Sequence, residues 1–317
     1  VWRHKPRTVF LGTSRIHQSI DPKLLNGTRF APAYNASVPA NTLGMNISYL
    51  QQYINIDRNL QNVFVELFLY NFLGTDQRHS PPDSFSKFLK DTIPLFLSAD
   101  ALWDALSTLT YNWAADAPCY EIKPGGYFYY PPGHDAKGLF DAFPRGMWDI
   151  DHIEHGKPTL SAPAFTSVED MIDTARAHHV NLTFLITPNH PYFWYYIETI
   201  DRWDLVADWL TRLTAITPVL SFAQPNAWTY ESVRPQMTYW YDPFHFSLAM
   251  GRGIEESIAG RRDPDLPGNF LIRLTPDRVP QYIASQREAL LHWARTHPDF
   301  VAAFEAEKER REREGLR

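Results

Sequence analysis

The chain has 317 residues, 44% hydrophobic and 21% charged, with a formal net charge of -6. That supplies enough apolar surface for a sizeable core and no basic excess of the kind nucleic acid requires, so nucleic acid is not an expected partner. The one cysteine, Cys119, excludes an internal disulfide and a cysteine metal cluster, and it reads as a buried apolar residue. Aromatic residues reach 15%, with ten tryptophans, a composition that both sugar-binding surfaces and cores use. No run of ~18 apolar residues is present, so no spanning segment is expected. The chain begins at Val1 without Met and enters a strand within a few residues. An upstream signal or anchor helix is therefore an expectation.

The first predicted strand is Thr8-Val9-Phe10-Leu11, a short apolar and β-branched run that stops at Gly12. Weak helical spacing follows from Ser14 to Leu25. Ala33–Ala36 reads as a second strand. Thr42 caps a predicted helix over Leu43–Ile56, and Val63–Leu67 is a third strand. Residues 75–165 break this rhythm with Pro- and Gly-rich stretches and the run Tyr127-Phe128-Tyr129-Tyr130. They read as an insertion with a helix near 84–112 and long loops, either a functional lid or a packed subdomain. A helix is then predicted over Val168–His178, capped by Ser167. A strand follows over Asn181–Thr187, a helix over Trp203–Leu213, a strand over Pro218–Phe222 and a helix over Ser247–Ala259. Residues 280–317 are predicted helical, their mixed-charge end a solvated tail. Strands alternating with helices predict one α/β domain with five parallel strands covered on both faces, a three-layer α/β/α sandwich.

In such a sheet, ligands sit beyond the carboxyl ends of the strands. Three segments at those ends carry suggestive residues. Gly12-Thr13-Ser14-Arg15 would place a serine hydroxyl on a tight strand-to-helix turn, although a Gly-x-Ser turn is equally an N-cap. Asn35-Ala36-Ser37-Val38-Pro39-Ala40-Asn41-Thr42 follows the second strand. Tyr241-Asp242-Pro243-Phe244-His245 precedes the last sheet helix, and its Asp-x-x-His is either a base with its orienting carboxylate or a local turn bond.

Together these segments resemble the SGNH, or GDSL-like, hydrolases. The Gly-Asp-Ser block of that family is matched by Gly12-Thr13-Ser14, its second block by Asn35–Thr42, and its Asp-x-x-His block by Asp242–His245. The resemblance implies a flavodoxin-like fold with Ser14 as nucleophile, His245 as base and Asp242 as the residue that orients it. It also implies an oxyanion hole from the backbone N–H groups of Ser14 and Ala40 and the amide of Asn71, with no cofactor and no metal. Three departures stand out: Thr13 replaces Asp, Ala40 replaces Gly, and the third block is reduced to Leu69-Tyr70-Asn71. The Gly-Thr-Ser-Arg form is similar to a branch that acts on envelope polysaccharides, which implies an acylated carbohydrate or other small acyl ester as substrate and a periplasmic or extracytoplasmic, membrane-tethered location, with the cytoplasm left open. The alternative is a non-catalytic polysaccharide-binding or scaffolding protein that keeps the fold.

Further candidates have two readings each. Arg15 could bind an anionic substrate group or pair with Glu66, the latter preferred. His190, at the end of the fourth predicted strand, could contact substrate or be a satisfied loop histidine. Asn41 and Trp240 are candidate substrate contacts, and His17 is a cleft-lining candidate. The clusters Tyr192–Tyr196, Trp228–Tyr230 and Tyr239–Tyr241 could rim a cleft, with core packing preferred. His178-His179 and Asp149–His152 match no standard metal spacing.

Overall fold

A computed structural model describes residues 5–56, 59–73, 121–123, 125–129, 135–150, 159–261 and 263–315. Its strands are β1 (Thr8–Leu11), β2 (Ala33–Asn35), β3 (Asn62–Glu66), β4 (Glu121–Ile122), β5 (Phe128–Tyr129), β6 (Asn181–Ile186), β7 (Val219–Ser221) and β8 (Ile272–Leu274). Its helices are α1 (Ser14–Ser19), α2 (Leu43–Ile56), α3 (Ala136–Ile150), α4 (Ala162–Ala177), α5 (Pro191–Thr199), α6 (Trp203–Ile216), α7 (Leu248–Ala259), α8 (Val279–Thr296) and α9 (Pro298–Glu314).

Six strands form the central sheet in the order β2-β1-β3-β6-β7-β8. The five expected strands are all present and parallel, and β8 is an additional strand, antiparallel to β7. The sheet is therefore mixed, a correction to the purely parallel expectation. Ile272-Arg273-Leu274 is too short to show a period of its own, and it earns its place as an edge partner of β7. Strand β1 is buried along its whole length, as a central strand with both faces covered must be.

The chain steps one way from β1 to β2 and the other way from β2 to β3. Right-handed crossovers then put α1 and α2 on opposite faces. Packing agrees: α2, α4 and α6 contact one another in series, while α1 contacts α7. The carboxyl ends of β1 and β3 flank the point where the winding reverses, where open α/β sheets leave a crevice.

Several local expectations change. Helix α4 begins at Ala162, six residues ahead of the predicted start, so Ser167 lies inside it, and Ser161 is the cap position. Pro163 at its start fixes a helical φ, which makes a proline there a start signal rather than a break. Tyr192–Tyr196 form an unpredicted helix, α5, and are all buried. The charged tail is not simply solvated. A break at His297-Pro298 turns α9 back, fully burying Phe304 against Tyr195 and Phe143. The predicted helix over 84–112, Cys119 and the Asp151-His152 pair lie outside the described residues. Among the described residues, no helix is long and apolar enough to cross a membrane.

Glu255 on α7 is fully buried, and neither carboxyl oxygen is in hydrogen-bond geometry with a neighbour. Burial, then the Asp21 carboxylate, raises its pKa well above the ordinary value, with the Asp21 backbone N–H and Arg261 offsetting only part. A carboxyl raised on folding lends stability while protonated in both states and loses it as pH rises through the folded pKa. Glu255→Gln should therefore melt higher than wild type near about pH 8, and the gap should close toward about pH 4. Thermal melts across that range check it, and a gap independent of pH contradicts it.

Candidate active site

The turn after β1 is built around one buried carboxylate. Glu66, at the end of the apolar run Val63-Phe64-Val65, is 1% exposed. Its Oε2 accepts from the Thr13 backbone N–H at 2.8 Å and from the Thr13 hydroxyl at 2.7 Å. Its Oε1 accepts from Thr187 Oγ1 at 2.8 Å and lies 3.2 Å from Arg15 Nε, an ionic contact rather than an aligned hydrogen bond. Glu66 presses so close that a Cβ on Gly12 would fall 2.9 Å from both its Cβ and its Oε2. The glycine is there for that approach. Thr13 caps α1, its Oγ1 accepting from the Arg15 N–H. Ser14 is therefore the first helical residue, and its own N–H has no acceptor within the helix.

The opposing wall is the turn before α7. Asp242 Oδ1 accepts from the backbone N–H groups of Phe244 and His245 at 2.8 and 2.9 Å. Its Oδ2 lies 2.7 Å from His245 Nδ1, and His245 Nε2 lies 2.8 Å from Ser14 Oγ. Burial opposes ionisation of Asp242, but the His245 ring and the two backbone N–H groups outweigh it, holding its pKa below the ordinary value. A bound carboxylate thus faces Nδ1, leaving Nε2 to accept the serine proton. Two contacts hold the walls together. The Ser19 hydroxyl at the end of α1 donates to the carbonyl of Phe246, next to His245. A Cβ on Gly251 of α7 would fall 1.6 Å from the Ser19 carbonyl oxygen, so only glycine lets the two helices meet this closely.

The loop after β2 joins the same place. Val38 N–H donates to the Gly12 carbonyl at 3.1 Å, and Asn41 Nδ2 donates to it at 3.2 Å. Asn71 Nδ2 donates to the Asn41 carbonyl at 3.1 Å, while its Oδ1 accepts from Phe68 N–H at 3.3 Å. Loops after β1, β2 and β3 are thus linked around Ser14. Ala40 sits in this loop at φ 55°, a left-handed conformation that costs a residue with a Cβ about 1–2 kcal/mol.

The structure brings together Ser14, Asp242 and His245, and it draws the Ala40 loop and Asn71 toward them. It removes four candidate substrate contacts. Arg15 is 3% exposed, with its guanidinium given to Glu66, Asn189 and the Pro188 carbonyl and stacked 4.4 Å over Phe68. Burial lowers its pKa to about 10 against the pull of Glu66 and Asp242, and the pairing alternative holds. His190 is fully buried as the cap of α5, bonded to Tyr192 N–H and the Glu231 carbonyl, and burial pushes its pKa down to about 3. Asn41 is 2% exposed and spends its amide on Gly12 and Asn46. Trp240 is fully buried, its indole N–H bonded to the Trp228 carbonyl. Tyr239 stacks on Trp228 at 4.5 Å, while Tyr239 and Tyr241 remain half-buried beside the fully buried Trp240. His178 and His179 only end α4, and no metal-binding cluster occurs among the described residues.

Sequence reasoning gave Glu66 no role beyond pairing Arg15, and it missed Ser19 and Glu231. Glu231 accepts from Thr238 and Tyr239 N–H groups, each at 2.8 Å, and so shapes the approach to Asp242. A glutamate directly after the apolar run Val63-Phe64-Val65 is a readable signal for Glu66. The other two carry none. No family model, curated protein or solved structure matches this chain.

Glu66→Gln leaves one oxygen for three donors and strands the Arg15 charge, which should cost about 3–5 kcal/mol in denaturant unfolding. Thr13→Asp removes the hydroxyl donor and sets a second carboxylate against Glu66, so it should destabilise strongly while Thr13→Ser stays near wild type. Equal stability of the Asp and Ser variants contradicts this account of the turn.

Proposed function

We propose that the protein is a serine-dependent O-acyl esterase or acyltransferase of the SGNH type, acting on an acylated carbohydrate. One observation carries the reading: the unbroken hydrogen-bond line from Asp242 through His245 to Ser14, at 2.7 and 2.8 Å, closed across 231 residues of sequence. The strand order β2-β1-β3-β6-β7 supports it, being the doubly wound order of flavodoxin-like sheets, with Ser14 at the reversal point.

In this reading His245 takes the Ser14 proton as Oγ attacks the acyl carbonyl, and Asp242 holds the ring tautomer and stabilises the imidazolium. The oxyanion is received by the Ser14 and Ala40 backbone N–H groups and by Asn71. A side-chain amide has two N–H groups, so Asn71 keeps one after serving Asn41. His245 then returns its proton to the departing alkoxide, and water or a sugar hydroxyl resolves the acyl-enzyme. The departures that motivate the non-catalytic alternative have a physical account. Thr13 suits a turn whose carboxylate is Glu66, and Asn71 reaches the site from a different local frame.

Ser14→Ala and His245→Ala should abolish p-nitrophenyl acetate hydrolysis. Asp242→Asn should lower kcat on the order of 10,000-fold by presenting the wrong tautomer. Asn71→Ala should lower it about 100- to 1,000-fold. Turnover by Ser14→Ala equal to wild type would sink the proposal.

A further inference from the structure

Helix α2 has two working faces. Leu43, Asn46, Leu50 and Tyr53 are buried in the protein. Tyr49, Gln52, Tyr53 and Ile56, at spacings of three, four and seven, share an adjacent stripe. That stripe walls a cavity of about 530 Å³, completed by Tyr34, His17 and the 37–39 segment. Its size falls within the roughly 300–1,000 Å³ usual for small-ligand sites.

The cavity adjoins the nucleophile turn in two ways. His17 lies three residues after Ser14 on α1, one turn along the same face, at a Cβ spacing of about 5–6 Å. Val38, in the cavity wall, donates to the Gly12 carbonyl, and Pro39 leads directly into Ala40. The β4–β5 hairpin closes the far side. Gly125 accepts from the Asn35 N–H at 2.7 Å, and Phe128 packs on the His17 ring at 5.7 Å. At Gly126, φ 89°, a Cβ would fall 2.1 Å from the Asn35 carbonyl oxygen, so the hairpin docks only because this residue is glycine.

The lining chemistry is specific. Among the described residues no Lys, Arg, Asp or Glu faces the cavity. Burial lowers the His17 pKa, which favours its neutral ring. Burial, and then the neighbouring Tyr34 and Tyr49, raise the pKa of Tyr53, so its hydroxyl stays protonated. Arg15, two residues before His17, is committed to Glu66, and Lys123, which follows the lining residue Ile122, is not itself part of the cavity wall. A tyrosine offers a flat apolar face and a polar tip. Three of them with Gln52 and His17 suit a ligand that alternates C–H and O–H surface, whereas an anionic sugar would require a cation.

We propose that this cavity is the subsite for an uncharged sugar residue of the acylated substrate, adjacent to the one whose ester Ser14 attacks. The assignment rests on the acyl-transfer reading for its substrate class, but its test reads binding alone. The test is calorimetric titration of Ser14→Ala protein with partly acetylated xylotetraose and, separately, with partly acetylated tetragalacturonate. The neutral probe should bind at least about tenfold more tightly than the anionic one. Adding Tyr49→Ala or the exposed Gln52→Ala should weaken the neutral probe about 3- to 10-fold each, with melting temperatures showing that both variants fold. Equal affinity for the two probes, unchanged affinity in both variants, or no binding of the neutral probe in the millimolar range overturns the proposal. Neutral-probe binding by a protein that fails to turn over p-nitrophenyl acetate leaves the subsite standing and removes the acyl chemistry. Turnover without glycan binding does the reverse.

Discussion

The buried carboxylate of Glu66 is the constraint on which the site depends. It takes both donors of Thr13, one of Thr187, and the charge of Arg15. A charge so far from water is tolerable only when its partners are in place. The turn after β1 is consequently fixed to the end of β3, across the reversal point of the sheet. Gly12 is the concession that lets the carboxylate approach, and Thr13 follows because the residue there must donate rather than accept.

A second constraint brings the distant half of the chain to that turn. The Ser19 hydroxyl reaches the Phe246 carbonyl, and Gly251 admits the end of α1 against α7. These contacts set the separation between Ser14 and His245, while the Asp242 carboxylate folds its own turn by accepting two backbone N–H groups. One Asp242 oxygen thus shapes the loop and the other faces the histidine. His190 and Trp240 serve the core beneath this turn: their rings meet at 5.3 Å.

Much of the fold was legible because central strands are short apolar runs bounded by turns. Val9-Phe10-Leu11 and Phe184-Leu185-Ile186 leave little room for another reading. Strand β8 was not legible, since three residues at an edge owe their conformation to a neighbour rather than to a pattern. Helix α5 was hidden because its aromatics are buried all round and show no amphipathic stripe. In the site, Ser14, Asp242 and His245 could be named from local motifs and order. The substrate-contact readings of Arg15, His190, Asn41 and Trp240, of which the one for Arg15 was already the less favoured, share one weakness. Position at a strand's carboxyl end does not say whether a polar group points to solvent or is spent on a backbone partner. Those partners, the Pro188, Glu231, Gly12 and Trp228 groups, are remote in sequence and invisible without the fold.

The central claim is that the Ser14 hydroxyl is activated by His245. Its most direct measurement is covalent labelling with a fluorophosphonate, followed by peptide mass spectrometry. The account predicts one adduct, on Ser14, that disappears in His245→Ala while the fold is retained. Modification spread over other serines, or a Ser14 that stays unlabelled in wild-type protein, contradicts it.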